Sequence, residues 1–77
     1  MKMNILLKSI DDVKLFVNEV SKVPYDVDLT SGRYVVDAKS IMGIFSLDLS
    51  SEITVEAHCK EQSEAEDFEK KFSQFKA

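Results

Sequence analysis

The sequence predicts an α+β domain in which one four-stranded, mostly antiparallel sheet carries three helices on a single face, in the order βαββαβα. Three observations point there. Two stretches alternate apolar and polar residues with the period of a strand, Tyr25 to Leu29 and Glu52 to Cys59. Two others repeat apolar residues at helical spacing, Val13, Phe16, Val17, Val20 and Ala65, Phe68, Phe72, Phe75. The whole chain is only 77 residues, which is one domain and not two.

The elements follow in order. Met3 to Lys8 is short and aliphatic, and reads as a first strand. Ser9 with Asp12 three residues on fits a capped start, so a helix runs from about Ile10 to Lys22 and stops before Pro24. Tyr25 to Leu29 and Arg33 to Asp37 form a hairpin across a Thr30-Ser31-Gly32 turn. Ser40 caps a short helix through Ile41-Met42-Gly43-Ile44-Phe45-Ser46-Leu47, and Ser50-Ser51 closes that segment. Glu52 to Cys59 is the fourth strand, with Ile53, Val55, Ala57 and Cys59 on the buried face. Ser63 and Glu66 suggest a second capping box for a last helix that runs to the C-terminus.

Size and composition bound the function. Surface scaling for 8.7 kDa gives ~4,700 Å² folded against ~12,600 Å² unfolded, a thin core. A formal charge of −4 argues against binding nucleic acid, and equally against attraction to acidic or membrane surfaces. A lone cysteine, Cys59, makes no internal disulfide, so a reducing, cytoplasmic setting is expected. An apolar run of only three residues, Ile5-Leu6-Leu7, before Lys8 makes neither a signal peptide nor a span, and no membrane association is expected.

Little in the sequence suggests catalysis. His58 and Cys59 are neighbours on a strand and so point to opposite faces, which excludes a nucleophile and base dyad. His58 then reads as solvated and Cys59 as a small buried hydrophobe. One histidine and one cysteine cannot build a zinc site, and no metal or cofactor is expected. The acids Asp11, Asp12, Asp26, Asp28, Glu61, Glu64 and Glu66 fall at helix starts or on the wet face of a strand. The lysines are scattered among them, and Gly32 and Gly43 are isolated, so there is no phosphate-binding loop. The informative stretch is Lys39 to Leu47. Ile44 and Leu47 supply one buried stripe, while Ile41 and Phe45, with Met42 beside them, form a second that the small protein either buries as well or, since a one-sided sheet has no second core, presents as a hydrophobic docking patch.

That segment, Lys39-Ser40-Ile41-Met42-Gly43-Ile44-Phe45-Ser46-Leu47, resembles the second-helix signature of the histidine-containing phosphocarrier (HPr) family of the bacterial sugar phosphotransferase system. The likeness extends through Tyr25-Asp26-Val27-Asp28-Leu29 and Gly32, and through Glu52-Ile53-Thr54-Val55, covering about residues 15 to 57. It implies the HPr-like open-faced β-sandwich as a single domain over residues 1–77. In the family a Gly-(Ile/Leu)-His-Ala-Arg-Pro-Ala motif opens the first helix, and its histidine carries the phosphate. Counting back from Ser21-Lys22 and Val27-Asp28-Leu29 sets Ser9 at the histidine position, Asp11 at the arginine and Asp12 at the proline. The resemblance therefore implies a lost phosphohistidine, with an aspartate that repels a nearby phosphate by ~1 kcal/mol or more even in water.

Ser40 matches the family's regulatory serine, which an ATP-dependent HPr kinase phosphorylates in Gram-positive bacteria. The segment Asp48-Leu49-Ser50-Ser51 is about two residues shorter than its family counterpart and lacks the glycines found there. Together these imply a non-catalytic, regulatory protein similar to the catabolite-repression HPr homologues, which also lack the histidine and keep the serine. Lys39, Ile41, Met42 and Phe45 would then form the surface for a protein partner, an HPr kinase or a transcriptional regulator. The rival expectation is a small metabolite- or enzyme-binding domain on the same scaffold with no phosphorylation.

Overall fold

The computed structural model describes residues 1–77 and has the expected order: β1 (Lys2–Ile5), α1 (Ile10–Val20), β2 (Val27–Ser31), β3 (Tyr34–Asp37), α2 (Ile41–Phe45), β4 (Ile53–Ala57) and α3 (Gln62–Lys71), then a short 3₁₀ turn at Ser73–Phe75. The strands lie in the sheet order β1-β4-β2-β3, and all three pairings are antiparallel. The folded surface is 4896 Å², close to what the mass alone requires.

The register explains the one-sided core. Met3 faces Val55, Ile5 faces Ile53, Val27 faces Ala57 and Leu29 faces Val55, all of them buried under the helices. The residues between them, Lys2, Asn4, Thr54, Glu56, Asp28 and Thr30, make the polar open face. α1 contributes Val13, Phe16 and Val20 to the core at the predicted spacing. Phe68, Phe72 and Phe75 close over Phe16, with ring centroids 5.4 Å apart for Phe16 against both Phe72 and Phe75 and 4.2 Å for the stacked Phe68 and Phe72. Burying each ring is worth roughly 1.5–3 kcal/mol, a large share of what so thin a core can supply.

Several boundaries differ from the sequence reading, each for a visible reason. The hairpin turn is Gly32-Arg33 and not Thr30-Ser31-Gly32. Thr30 and Ser31 stay paired in β2, and Gly32 takes the positive φ of 58° that a tight reversal needs. β1 ends at Ile5, the last residue paired with β4, and the Leu6 amide, which the ladder turns to the outer edge, donates to Phe75 O at 2.9 Å. α3 starts earlier, since Glu61 and Glu64 form the capping box that Ser63 and Glu66 were expected to make. Glu64 Oε1 accepts from the Lys60 amide at 2.9 Å and the Glu61 amide at 3.3 Å. That helix ends at Lys71, and the tighter turn brings Phe75 down onto Phe16.

Candidate functional site

α2 is five residues long, far too short to hold itself together. Four contacts fix it. Ser40 in extended conformation (φ −102°, ψ 102°) caps it, its Oγ accepting from the Gly43 amide at 3.3 Å. Asp37 Oδ1 accepts from the Lys39 amide at 2.9 Å and shapes the approach from β3. Lys39 Nζ donates to the Val23 carbonyl at 3.1 Å, just beyond the end of α1. Ile44 and Leu47 enter the core. Gly43 allows the close packing at the cap, since a Cβ there would lie 3.3 Å from Ser40 Oγ and 3.4 Å from Val36 Cβ.

With those residues committed inward, the rest of α2 faces out. Met42 is 77% and Phe45 42% exposed, and the Ser40 side of the cap is open to solvent. Ile41 departs from the expected stripe: it is half-buried and packs against the core, so the outward apolar surface is Met42 and Phe45 with Ile41 at its margin. Lys39 is also half-buried, its ammonium engaged by Val23. After the helix, Asp48 accepts from the Ser50 amide at 3.0 Å and from the Ser50 and Ser51 hydroxyls. These bonds hold its carboxyl below the usual aspartate range.

Ser9 is the N-cap of α1. Its Oγ accepts from the Asp12 amide at 3.1 Å, and Asp12 Oδ2 accepts from the Lys8 amide at 3.0 Å, so both side chains are engaged in starting the helix. Ser40 sits by the far end of the same helix, through the Lys39 to Val23 bond. Along eleven residues that is a separation of about 16 Å.

His58 and Cys59 lie just past β4 and not within it. His58 Nε2 is 2.9 Å from Asp28 Oδ2, and its amide donates to Asp26 O at 2.9 Å. Cys59 is half-buried and not the fully buried residue expected, because it sits beside the Tyr25 hydroxyl at the edge of the core. Burial, the Cys59 thiol and the acids Glu64 and Asp67 together push the Tyr25 hydroxyl well above the usual 10.0. His58 leaves β4 where it lies beside Lys2, whereas Ser9 follows the Ile5 end of β1, so the two occupy opposite ends of that strand.

A family model described as the PTS HPr component phosphorylation site matches residues 12–75. The chain belongs to the HPr family. The crystal structure of HPr-C-His from Thermoanaerobacter tengcongensis superposes at a TM-score of 0.76 and 26% identity, covering 96% of this chain and 91% of that one. The phosphocarrier protein HPr from Bacillus anthracis str. Ames gives 0.67 and 26%, over 88% and 89%. No curated protein matches the sequence. The architecture is accordingly the HPr open-faced sandwich, and no helix is long and apolar enough to cross a membrane. Within this HPr-family chain the matched stretch opens at Asp12, three residues past Ser9.

The sequence missed two parts of this site. The Lys39 to Val23 bond carries no sequence signal, since a lysine before a cap reads as an ordinary solvated charge. The role of Asp37 in shaping the approach to Ser40 was visible in principle as an acid two residues before a lysine amide, an Asx-turn pattern.

Proposed function

We propose that this HPr-family chain carries no phosphate on histidine and acts by binding other proteins through α2, with Ser40 as its phosphorylated switch. The observation that carries this reading is the division of the α2 segment into a buried pair, Ile44 within the helix and Leu47 just past its cap, and an exposed pair, Met42 and Phe45, beside an open serine hydroxyl. Neither Met42 nor Phe45 belongs to the buried core, so the two together leave an apolar surface beside the serine. At the other end of α1, Ser9 replaces the family's histidine and Asp11 and Asp12 place negative charge where a phosphate would have to sit. A serine phosphate is a stable ester and not a high-energy phosphoramidate, so Ser9 does not restore carrier chemistry. The chain's single histidine, His58, is held by Asp28 at the opposite end of β1.

The metabolite-binding alternative draws no support from shape. The surface depression of about 480 Å³ is lined by Glu66, Glu69, Lys70, Ser73 and Lys76, with no apolar side chain to receive a small molecule. Two labelling reactions test the proposal. The phosphoenolpyruvate-dependent kinase should leave the chain unlabelled, and an HPr kinase with ATP should label Ser40 alone. An acid-labile phosphate on His58 would sink the reading, as would failure to label Ser40 under conditions that label a phosphocarrier HPr.

A further inference from the structure

The two edges of the sheet are treated differently. Along β1 the outer edge is covered by the C-terminal segment: Leu6 N–H donates to Phe75 O at 2.9 Å, Ala77 N–H donates to Asn4 O at 3.1 Å, and Ile5 bridges Lys76. Nothing covers β3. Ala38 N–H donates to Val27 O at 2.9 Å, so by the alternation of an antiparallel ladder Val36 and Tyr34 also turn their backbone groups inward, and Val35 and Asp37 turn theirs out. The Asp37 carbonyl accepts from the Ser40 amide at 3.0 Å. That leaves Val35 N–H, Val35 C=O and Asp37 N–H open on the edge.

Apart from its short length and the acid at Asp37, β3 lacks the usual defences of a free edge. It contains no lysine, proline or bulge, and it exposes two large hydrophobic residues, Tyr34 at 72% and Val35 at 64%. Two charges mark its ends: Arg33, the chain's one arginine, precedes it, and Asp37 is its last residue. Neither enters any of the ion pairs within the chain.

We propose that the β3 edge is a self-association surface, pairing antiparallel with β3 of a second copy about a two-fold axis at Val35. In that register Val35 meets Val35 of the second copy through two reciprocal N–H to O=C bonds, Tyr34 meets Val36, and Arg33 meets Asp37 at both ends. The neighbouring self-register, centred on Val36, sets Val35 against Asp37 and leaves Arg33 without an acid, so charge selects the first. A contact of about five residues a side falls well short of the ~1,200 Å² of a stable interface, so the dimer is weak and forms only as concentration rises.

The test is sedimentation velocity and amide NMR on the full chain from about 0.05 to about 2 mM. The sedimentation coefficient should climb, with shifts centred on the Val35 and Asp37 amides, and Val35→Pro, which removes the N–H at the axis, should abolish both. Arg33→Asp and Asp37→Arg each place like charges at both ends of the pairing, so neither alone should associate, whereas their equimolar mixture should, because every facing pair is again opposite in charge. Circular dichroism checks that each variant is folded, since Asp37 also shapes the turn to Lys39. A chain that stays monomeric to the highest concentration overturns the proposal. So does association that survives Val35→Pro, or a mixture no more associated than its components. Shifts of the Val35 and Asp37 amides that appear only on adding an extended peptide from another protein would assign the edge to a different occupant.

Discussion

Lys39 Nζ donates to the Val23 carbonyl at 3.1 Å, and that bond joins the residue before the α2 cap to the segment that ends α1. A charged donor on a backbone carbonyl in a half-buried setting is worth more than a surface ion pair, because neither group is fully rehydrated when the other is removed. Lys39→Met keeps the stem and deletes the donor. It should cost about 0.5–1.5 kcal/mol in a denaturant titration. It should also speed hydrogen exchange at the Gly43 and Ile44 amides more than in the strands. Unchanged exchange in α2 would mean the ammonium spends its time in solvent.

The buried and exposed residues of the α2 segment should separate energetically. Leu47 is buried against the sheet, and Leu47→Ala should cost ~2–5 kcal/mol. Phe45 keeps much of its ring in water, and Phe45→Ala should cost under ~1 kcal/mol while reducing the rate at which an HPr kinase modifies the chain. Equal losses of stability from the two substitutions would make Phe45 a core residue and remove it from the docking surface.

How far this was legible follows from which interactions have periodicity. Val13, Phe16 and Val20, and the alternation Ile53, Val55, Ala57, carry their burial in their spacing, so the presence and buried faces of α1 and β4 were readable from the sequence. Ser9 and Ser40 were readable as caps because the hydroxyl and its amide are three residues apart. The start of α3 was not, because Ser63 with Glu66 and Glu61 with Glu64 fit the same spacing rule. What decides between them is where the chain leaves β4, a tertiary fact. The bonds from Phe75 and Ala77 to β1, and from Lys39 to Val23, join residues distant in sequence with no repeating pattern. For the same reason Ile41 was placed outward with Phe45: the i, i+4 rule fixes which residues share a face, but only the position of β3 and the core decides how much of that face is covered.

Tyr25 gives the protein an alkaline limit. Its ring lies 6.2 Å from that of Phe68 and its hydroxyl beside Cys59, and burial above all raises its pKa. The unfolded chain releases this proton near pH 10 while the folded chain still holds it, so above pH 10 the unfolded state binds fewer protons and stability falls as pH rises. Below pH 10 the contribution is present in full. Urea midpoints should therefore drop as pH rises above about 10, and Tyr25→Phe should remove part of that drop and the latest part of the tyrosinate absorbance rise. A midpoint equally pH-dependent in Tyr25→Phe would place the alkaline sensitivity elsewhere.

Phosphorylation of Ser40 should alter binding and leave the fold intact. The Gly43 amide now donated to Ser40 Oγ can pass to a phosphate oxygen, and the dianion gains the open amides of the first turn of α2. Against this stands the Val23 carbonyl, which lies within reach of the neighbouring lysine and contributes negative potential at the end of α1. Lys39 arbitrates, because its ammonium can leave a neutral carbonyl for a doubly charged phosphate one residue away. Stability should stay level or rise by up to ~1–2 kcal/mol. Partners that require the apolar Met42 and Phe45 surface should lose affinity, and partners that offer arginines should gain it. Ser40→Ala removes the modification and the cap together, so it should abolish the mass shift at a cost of ~0.5–2 kcal/mol with unchanged circular dichroism. A phosphorylated chain that melts several degrees lower would show that the carbonyls near α1 outweigh the helix amides, and would turn the switch from a change of surface into an unfolding of α2.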